Sequence, residues 1–258
     1  MTHAKQVNQE FLDTSQYLTS SILQYEAVYG EDFVSPGGRQ MAAELIGRMG
    51  LAPASRVLDV GCGLGGSAFL MAREYGLQVD GIDLSKNMLE LANAKLSAYG
   101  LAEHVNLKCD DCLKLECVEY YDAVYSRDVF LHIEDKHRLF SVLKKSLRPG
   151  GQLLFTDYCC GDEPWSEDFA TYVENRGYCL HTLPDYAGLI ARAGFKQVDH
   201  QDITDRFIKI LASDLERIAD LNIDGPDQIK LEHSWSQKLR RSRAGDHRWG
   251  LFTAVKEI

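Results

Sequence analysis

The feature that most restricts how this chain can fold is a glycine-rich turn between a short apolar run and a helix-length segment. Residues 57–60 form the apolar run, and Gly61-Cys62-Gly63-Leu64-Gly65-Gly66 follows it directly. Glycine permits a tight turn and lets a bound ligand approach the backbone closely. This order of strand, turn and helix predicts a ligand site, and the motif alone leaves the ligand open.

From Arg56 onward, short β-prone runs alternate with helix-length segments, which is typical of a parallel sheet covered by helices on both faces. The predicted strands are 56–60, 78–82, 105–109, 121–125, 152–157, 197–201 and 249–255, and the helices between them are 66–75, 86–99, 134–147 and 184–193. We predict an α/β fold with a seven-stranded, mostly parallel sheet in one domain, residues 51–258. Residues 1–50 contain two helical segments, 20–28 and 41–49, and are predicted to form a cap over the site.

Two acids near the glycine motif indicate what the turn binds. Asp83 ends the second predicted strand, 22 residues after Gly61, where a carboxylate can accept hydrogen bonds from the two hydroxyls of a ribose. That spacing fits NAD and S-adenosylmethionine equally well. Asp59 precedes the motif by two residues; it is unfavourable beside a pyrophosphate but suits a ligand that has an ammonium and a sulfonium. We therefore favour S-adenosylmethionine.

The end of the third predicted strand offers contacts for an adenine ring. Asp111 can accept a hydrogen bond from an adenine amino group, and the backbone N–H of Cys112 can donate to a ring nitrogen. Asp111 is preferred to Asp110 for its position in the turn. The spacing of Cys109 and Cys112 also occurs in zinc and redox sites, but no second pair matches it, so we predict no metal.

The composition limits the partners of the chain. Acidic side chains number 38 against 28 lysines and arginines, and the net charge of −10 disfavours nucleic acid and anionic membranes. Residues 1–10 lack the features of a signal peptide, and no run approaches the ~20 apolar residues of a membrane span. Seven cysteines, an odd number, suit reduced thiols. We expect a cytoplasmic monomer that binds small molecules.

Several further segments occur in an order that is specific to one family. They are FLDTSQY (11–17), YE (25–26), VSPGG (34–38), the glycine motif (61–66), YSRDVFLHI (125–133), TDYC (156–159), WSQK (235–238) and RWG (248–250). From about residue 11 onward the chain resembles the phosphoethanolamine N-methyltransferases. It is most similar to the second methyltransferase domain of the plant two-domain enzymes and to the single-domain apicomplexan form.

The resemblance implies a Rossmann-like class I methyltransferase that moves methyl groups from S-adenosylmethionine to the nitrogen of phosphoethanolamine or its methylated forms, leading to phosphocholine. It implies a catalytic pair, Tyr17 and His132, assisted by Asp128. The phosphate-binding residues that it implies are Tyr158, Tyr172, Arg176, Tyr178 and Lys238, and the further cofactor and substrate contacts are Gln16, Tyr25, Val34, Ser35, Asp59, Gly61, Gly63, Asp83, Leu84, Asp111, Cys112 and Arg127.

The chemistry of methyl transfer explains why such residue types are needed. A protonated amine cannot attack a methyl donor, so a base such as His132, with an ordinary pKa of ~6.5, must take the proton, either directly or through the Tyr17 hydroxyl. Asp128 precedes His132 by four residues, and a helix there would place both on one face. Tyr172 and Arg176 have the same spacing, so one short helix can present both to a phosphate.

Two alternatives stay open at this point. A methyltransferase that acts on a lipid or quinone precursor would need an apolar acceptor pocket, whereas Tyr158, Arg176 and Lys238 predict an anionic acceptor. A binding domain without catalytic activity would need no base at position 132.

Overall fold

The computed structural model describes residues 9–221 and 223–258. Residues 1–8 of the predicted cap and Asn222 lie outside the described residues. The strands are β1 (Arg56–Val60), β2 (Gln78–Asp83), β3 (Val105–Cys109), β4 (Tyr121–Arg127), β5 (Leu147–Cys160), β6 (Lys196–Asp202) and β7 (His247–Val255). The helices are α1 (Gln9–Phe11), α2 (Thr19–Tyr29), α3 (Gly38–Met49), α4 (Gly66–Tyr75), α5 (Lys86–Tyr99), α6 (Lys136–Ser146), α7 (Glu167–Arg176), α8 (Leu183–Arg192), α9 (Thr204–Asp220) and α10 (Gly225–Ala244).

The strands form one seven-stranded sheet in the order β3-β2-β1-β4-β5-β7-β6. The pairs among β1 to β5 are parallel, and β7 is antiparallel to both β5 and β6. The predicted fold class is therefore confirmed. The chain crosses from β3 to β4 over β1 and β2, so the strand order reverses between β1 and β4.

The two faces of the sheet are covered as the alternation of strands and helices predicts. Successive side chains of a strand point to opposite faces. Val57 and Leu58, which are adjacent in β1, accordingly belong to two different apolar clusters. The Val57 cluster includes residues of α3 and α4, and the Leu58 cluster includes residues of α6 and α8.

The predicted bounds of α4 and α5 are confirmed, and every predicted strand is present. β5 is longer than predicted, because it starts at Leu147 and continues to Cys160. The short helix that the spacing of Tyr172 and Arg176 predicts is present as α7. No element is predicted for residues 202–248, where the structure has α9 and α10.

Helices α9 and α10 form an insertion between β6 and β7. The buried apolar residues Phe207, Leu211 and Ile218 of α9 recur at helical spacing. In α10, Trp235 and Leu239 are buried. The two helices pack against the cap, and in the described part of the chain no helix has the length and apolar character to span a membrane.

Candidate active site

A cavity of about 590 Å³ lies at the carboxyl end of the sheet, where the strand order reverses between β1 and β4. In open α/β sheets this reversal leaves a crevice that binds ligands. The loops after β1, β2 and β3 form one end of the cavity, and β5, α7 and α10 contribute to the other. The volume is in the usual range for small-molecule sites, about 300–1,000 Å³.

The structure brings together all but one of the predicted site residues. Those that line the cavity are Gln16, Tyr17, Tyr25, Val34, Ser35, Gly61, Gly63, Asp83, Leu84, Asp111, Cys112, Arg127, Asp128, His132, Tyr158, Tyr172, Arg176, Tyr178 and Lys238. Asp59 lies just behind the cavity wall, next to Val60, and is only 2% exposed.

The glycine turn and Asp83 form one unit. Gly61 has a φ of +71°, and a Cβ atom added there would lie 2.2 Å from Cγ2 of Val129, so only glycine fits. The two carboxylate oxygens of Asp83 accept hydrogen bonds from the backbone N–H of Gly63, at 2.9 Å, and of Ser85, at 2.8 Å. Asp83 therefore braces the turn from the end of β2, and burial raises its pKa.

Asp59 is a buried carboxyl group that lacks a complete set of partners. Within residues 9–221 and 223–258, its Oδ2 atom has no hydrogen-bond partner. Burial raises the pKa of Asp59 to about 7, and the negative charge of Asp83 acts in the same direction. A cation bound at the glycine turn would relieve both effects. The two acids thus fit a nucleoside ligand that has positive charge, as predicted for S-adenosylmethionine.

Asp111 has local partners in the structure. Its Oδ1 atom accepts a hydrogen bond from the backbone N–H of Leu113 at 3.0 Å, and its Oδ2 atom lies 3.1 Å from the ammonium of Lys114. It caps the 3₁₀-helix Cys112–Lys114. Asp110 also lines the cavity, so the choice of Asp111 over Asp110 stays a prediction.

Tyr17 and His132 meet in the middle of the cavity. The Tyr17 hydroxyl lies 3.4 Å from Nε2 of His132, and the ring centroid of Tyr178 lies 5.2 Å from that of His132. The other ring nitrogen, Nδ1, has no hydrogen-bond partner among the described residues. Burial lowers the pKa of His132 to about 3, and the charges of Arg176 and Lys136 lower it further. The imidazole is therefore neutral near pH 7.

Asp128 does not share a helical face with His132. The chain leaves β4 at Arg127, and a 3₁₀-helix covers only Phe130–His132. No helix therefore includes both Asp128 and His132. Asp128 instead has a φ of +57°, and its Oδ1 atom accepts a hydrogen bond from Nε1 of Trp249 at 2.7 Å. The adjacent Arg127 donates to backbone carbonyls of the cap at Pro36 and Gly38.

The far end of the cavity combines phenols with cations. The ammonium of Lys238 lies 3.4 Å from the Tyr158 hydroxyl and 5.0 Å from the ring centroid of Trp235. Burial lowers the pKa of Lys238 to about 8, and the charge of Arg176 acts in the same direction. Arg176 is the last residue of α7, with Tyr172 one turn earlier, as their spacing predicted.

Some cavity residues were missed by the sequence analysis. Tyr29 and Trp235 line the cavity and contact one another, with ring centroids 5.5 Å apart. Arg241 lines the same end as Lys238, three residues later in α10. Lys238 is the one residue predicted from this basic segment, and no local signal separates Arg241 from the neighbouring arginines.

Comparisons with known proteins agree with this geometry. Residues 57–151 match the family described as methyltransferase domain. The structure of phosphoethanolamine N-methyltransferase 2 from Haemonchus contortus, in complex with phosphomonomethylethanolamine and S-adenosylhomocysteine, superposes with a TM-score of 0.94 and 35% identity, over 97% of this chain and 60% of that one. Phosphoethanolamine N-methyltransferase of Plasmodium falciparum is 33% identical over 99% of this chain and its own full length.

Phosphoethanolamine N-methyltransferase 1 of Zea mays is 41% identical over 96% of this chain, which spans half the length of that protein. The sheet order, the glycine turn with its two acids and the matching domain define the class I methyltransferase fold. Within that class, the chain belongs to the phosphoethanolamine N-methyltransferase family.

Proposed function

We propose that this chain transfers methyl groups from S-adenosylmethionine to the nitrogen of phosphoethanolamine and of its mono- and dimethyl forms, leading to phosphocholine. The observation that carries this proposal is the order of groups along one cavity. A glycine turn with buried acids lies at one end, a neutral histidine with a tyrosine in the middle, and phenols with cations at the other end. The Haemonchus contortus structure is a complex with phosphomonomethylethanolamine and S-adenosylhomocysteine, which supports a site for both kinds of ligand.

The residues at the glycine turn would hold the cofactor. Asp83 would accept hydrogen bonds from the ribose hydroxyls, and Asp59 would face the positively charged amino acid part. Asp111 and the backbone of Cys112 would contact the adenine. S-adenosylmethionine, when bound, supplies a methyl group on a positively charged sulfur. The chain aligns this group with the acceptor nitrogen.

The opposite end would bind the phosphate. Arg176 presents a guanidinium fork and Lys238 an ammonium, both matched to a doubly charged phosphate monoester. The hydroxyls of Tyr158, Tyr172 and Tyr178 would donate to its remaining oxygens. An uncharged lipid or quinone precursor would leave these cations without an anionic partner, which disfavours that alternative.

The middle of the cavity would handle the proton of the amine. The His132 imidazole is neutral at pH 7, so the tautomer with its proton on Nδ1 has a lone pair at Nε2, the nitrogen that faces the Tyr17 hydroxyl, although its low pKa makes it a weak base in the free protein. The charge of Arg176 contributes to the low pKa of His132. A phosphate bound beside Arg176 offsets that charge, so the base becomes stronger when the substrate is in place.

We propose that the segment 1–50 acts as a lid over the cavity; the structure describes residues 9–50 of it. Two hydrogen bonds attach the π-helical turn Leu12–Gln16 and the following Tyr17 to opposite ends of the cavity. Nε2 of Gln16 donates to the backbone carbonyl of Arg176 at 3.1 Å, and Nδ2 of Asn87 donates to the backbone carbonyl of Tyr17 at 2.8 Å. Closure of this turn would place Tyr17 and exclude water.

We propose a cytoplasmic monomer, and the seven cysteines, all free thiols, suit a reducing compartment. Sedimentation equilibrium of the purified protein measures the assembly directly. A dimer at micromolar concentration would contradict the proposed monomer.

Methyl transfer to phosphoethanolamine and to its mono- and dimethyl forms, each supplied separately with labelled S-adenosylmethionine, tests the function. We expect transfer to at least one of the three and none to unphosphorylated ethanolamine. Equal transfer to the phospho-amines and to unphosphorylated ethanolamine would contradict a phosphate site. Cofactor binding without transfer to any acceptor would favour the binding-domain alternative.

Replacement of Arg176 by glutamine removes one cation from the phosphate end. We expect KM for the phospho-amine to rise about 10-fold or more, because charge-assisted hydrogen bonds to the phosphate are lost. The KM for S-adenosylmethionine should stay within about twofold, and steady-state kinetics with each substrate varied measures both. An unchanged KM for the phospho-amine would show that the phosphate binds elsewhere.

The pKa of Lys238 makes substrate binding dependent on pH. Since its pKa in the free protein is lowered to about 8, the ammonium loses its proton as pH rises through 8. KM for the phospho-amine should then increase on the alkaline side. Arginine stays charged in this range, so Lys238→Arg should remove the increase, and a wild-type KM that stays flat up to pH 9 would contradict the assignment.

A further inference from the structure

Arg241 lies at the phosphate end of the cavity but has no part in the proposed function so far. It is on α10, one turn after Lys238, and both side chains line the cavity. The Arg241 side chain is only 12% exposed, and its guanidinium carbon lies 4.2 Å from the ring centroid of Tyr172. A guanidinium that stacks on an aromatic ring keeps its N–H donors in the plane of the fork, where they can bind a carboxylate or a phosphate.

The counter-ion of Arg241 is a carboxylate that has another partner. Nε of Arg241 donates to Oδ2 of Asp168 on α7 at 2.6 Å, and a terminal nitrogen lies 3.4 Å from Oδ1. The guanidinium of Arg240 lies 3.0 Å from the same carboxylate. Asp168 is 38% exposed, so it would keep both water and Arg240 if Arg241 turned away. The pair with Arg241 is therefore exchangeable.

Three cations converge at this end of the cavity. The charges of Arg176 and Arg241 both lower the pKa of Lys238, which shows that the three groups are close enough to repel one another. A doubly charged phosphate monoester relieves this repulsion better than one carboxylate shared by two arginines. Arg176 and Arg241 also line an open groove at the surface, which Glu167 and Asp168 line as well, so both guanidinium groups are accessible from the solvent.

We infer that Arg241 is a phosphate-binding residue of this site, which exchanges Asp168 for the phosphate of the acceptor. This inference rests on the proposed function and adds a third cation to its phosphate site. This exchange makes the binding of an acceptor depend on its phosphate charge, because an acceptor without a phosphate cannot displace Asp168. A purely structural role would instead be the attachment of α7 to α10.

Three variants separate these roles. Arg241→Gln should raise KM for the phospho-amine about 10-fold or more and weaken the binding of phosphocholine equally in calorimetry, with kcat changed less. Asp168→Asn removes the competing carboxylate, so KM should be at or below the wild-type value. Arg243→Gln is the matched control, because Arg243 is an exposed arginine of α10 that does not line the cavity, and the KM of this variant should equal that of the wild type.

A structural role predicts a different result. If Arg241 only attaches α7 to α10, Arg241→Gln and Asp168→Asn break the same contact and should raise KM by the same factor, and that result would overturn the inference. Arg241→Lys keeps the charge without the fork and should give an intermediate KM. A KM equal to that of the wild type in Arg241→Gln, with a folded protein, would also overturn it.

The failure of the inference differs from the failure of the proposed function. A wild-type protein that transfers no methyl group to any phospho-amine contradicts the function. In that case, calorimetric titration with inorganic phosphate still tests Arg241, because weaker binding by Arg241→Gln than by Arg243→Gln supports the anion site, and equal binding contradicts it. An active wild type with unaffected Arg241→Gln contradicts the inference alone.

Discussion

Replacement of His132 by alanine should lower kcat for methyl transfer by about 10²-fold to 10⁴-fold, the usual range for the loss of a general base. The neutral imidazole lies in the middle of the cavity with Nε2 facing the Tyr17 hydroxyl, 3.4 Å away. Alanine leaves the proton on the amine without a nearby acceptor. Neither the glycine turn nor the phosphate end includes His132. The affinities for S-adenosylhomocysteine and for phosphocholine should therefore change little, and calorimetry measures both.

His104 provides the matched control for this experiment. It is exposed before β3 and contacts Gln78, at 2.8 Å, away from the cavity. His104→Ala should keep the wild-type kcat. If His132→Ala keeps it as well, His132 has no part in the proton transfer and the proposed mechanism is wrong.

Replacement of Asp83 by alanine should weaken S-adenosylmethionine binding about 100-fold. The change removes the acceptor for the ribose hydroxyls, and it also leaves the backbone N–H groups of Gly63 and Ser85 without the carboxylate that they now contact. A buried donor that loses its acceptor has a desolvation cost, which adds to the lost ligand bonds. Calorimetry with S-adenosylmethionine and S-adenosylhomocysteine measures the loss.

Two further variants make the Asp83 result specific. Asp83→Asn keeps the size but has only one accepting oxygen, so it should bind more tightly than Asp83→Ala and more weakly than the wild type. Glu90→Gln, on the exposed side of α5, removes an acid from the same region without touching the turn and should bind like the wild type. Wild-type affinity in Asp83→Ala would place the ribose elsewhere.

Local signals predicted the central part of the fold well. The bounds of α4 and α5 are marked by glycines that end each helix and by Ser85, whose side chain accepts a hydrogen bond at the start of α5. The insertion of α9 and α10 was missed although Phe207, Leu211 and Ile218 have helical spacing. Its place between two strands of the sheet depends on tertiary packing, which no local pattern specifies.

The candidate site was predictable where sheet topology positions it. Gly61 follows β1 and Asp83 ends β2, the adjacent parallel strand, so the fold brings the glycine turn and Asp83 together. The surroundings of Asp128 were not predictable, because its positive φ and its bond to Trp249 join β4 to a distant strand. The sequence does not distinguish Arg241 from the neighbouring arginines. Its role becomes visible only in the packing of α10 against α7, where Arg241 contacts Asp168.

The position of β7 has a consequence for synthesis of the protein on the ribosome. β6 has no direct pairing with β5, because β7 lies between them, and Trp249 of β7 also holds the carboxylate of Asp128. While the nascent chain lacks residues 247–255, β6 therefore has no neighbouring strand and β5 has an open edge. The sheet and the centre of the cavity can be completed only after translation of this late segment.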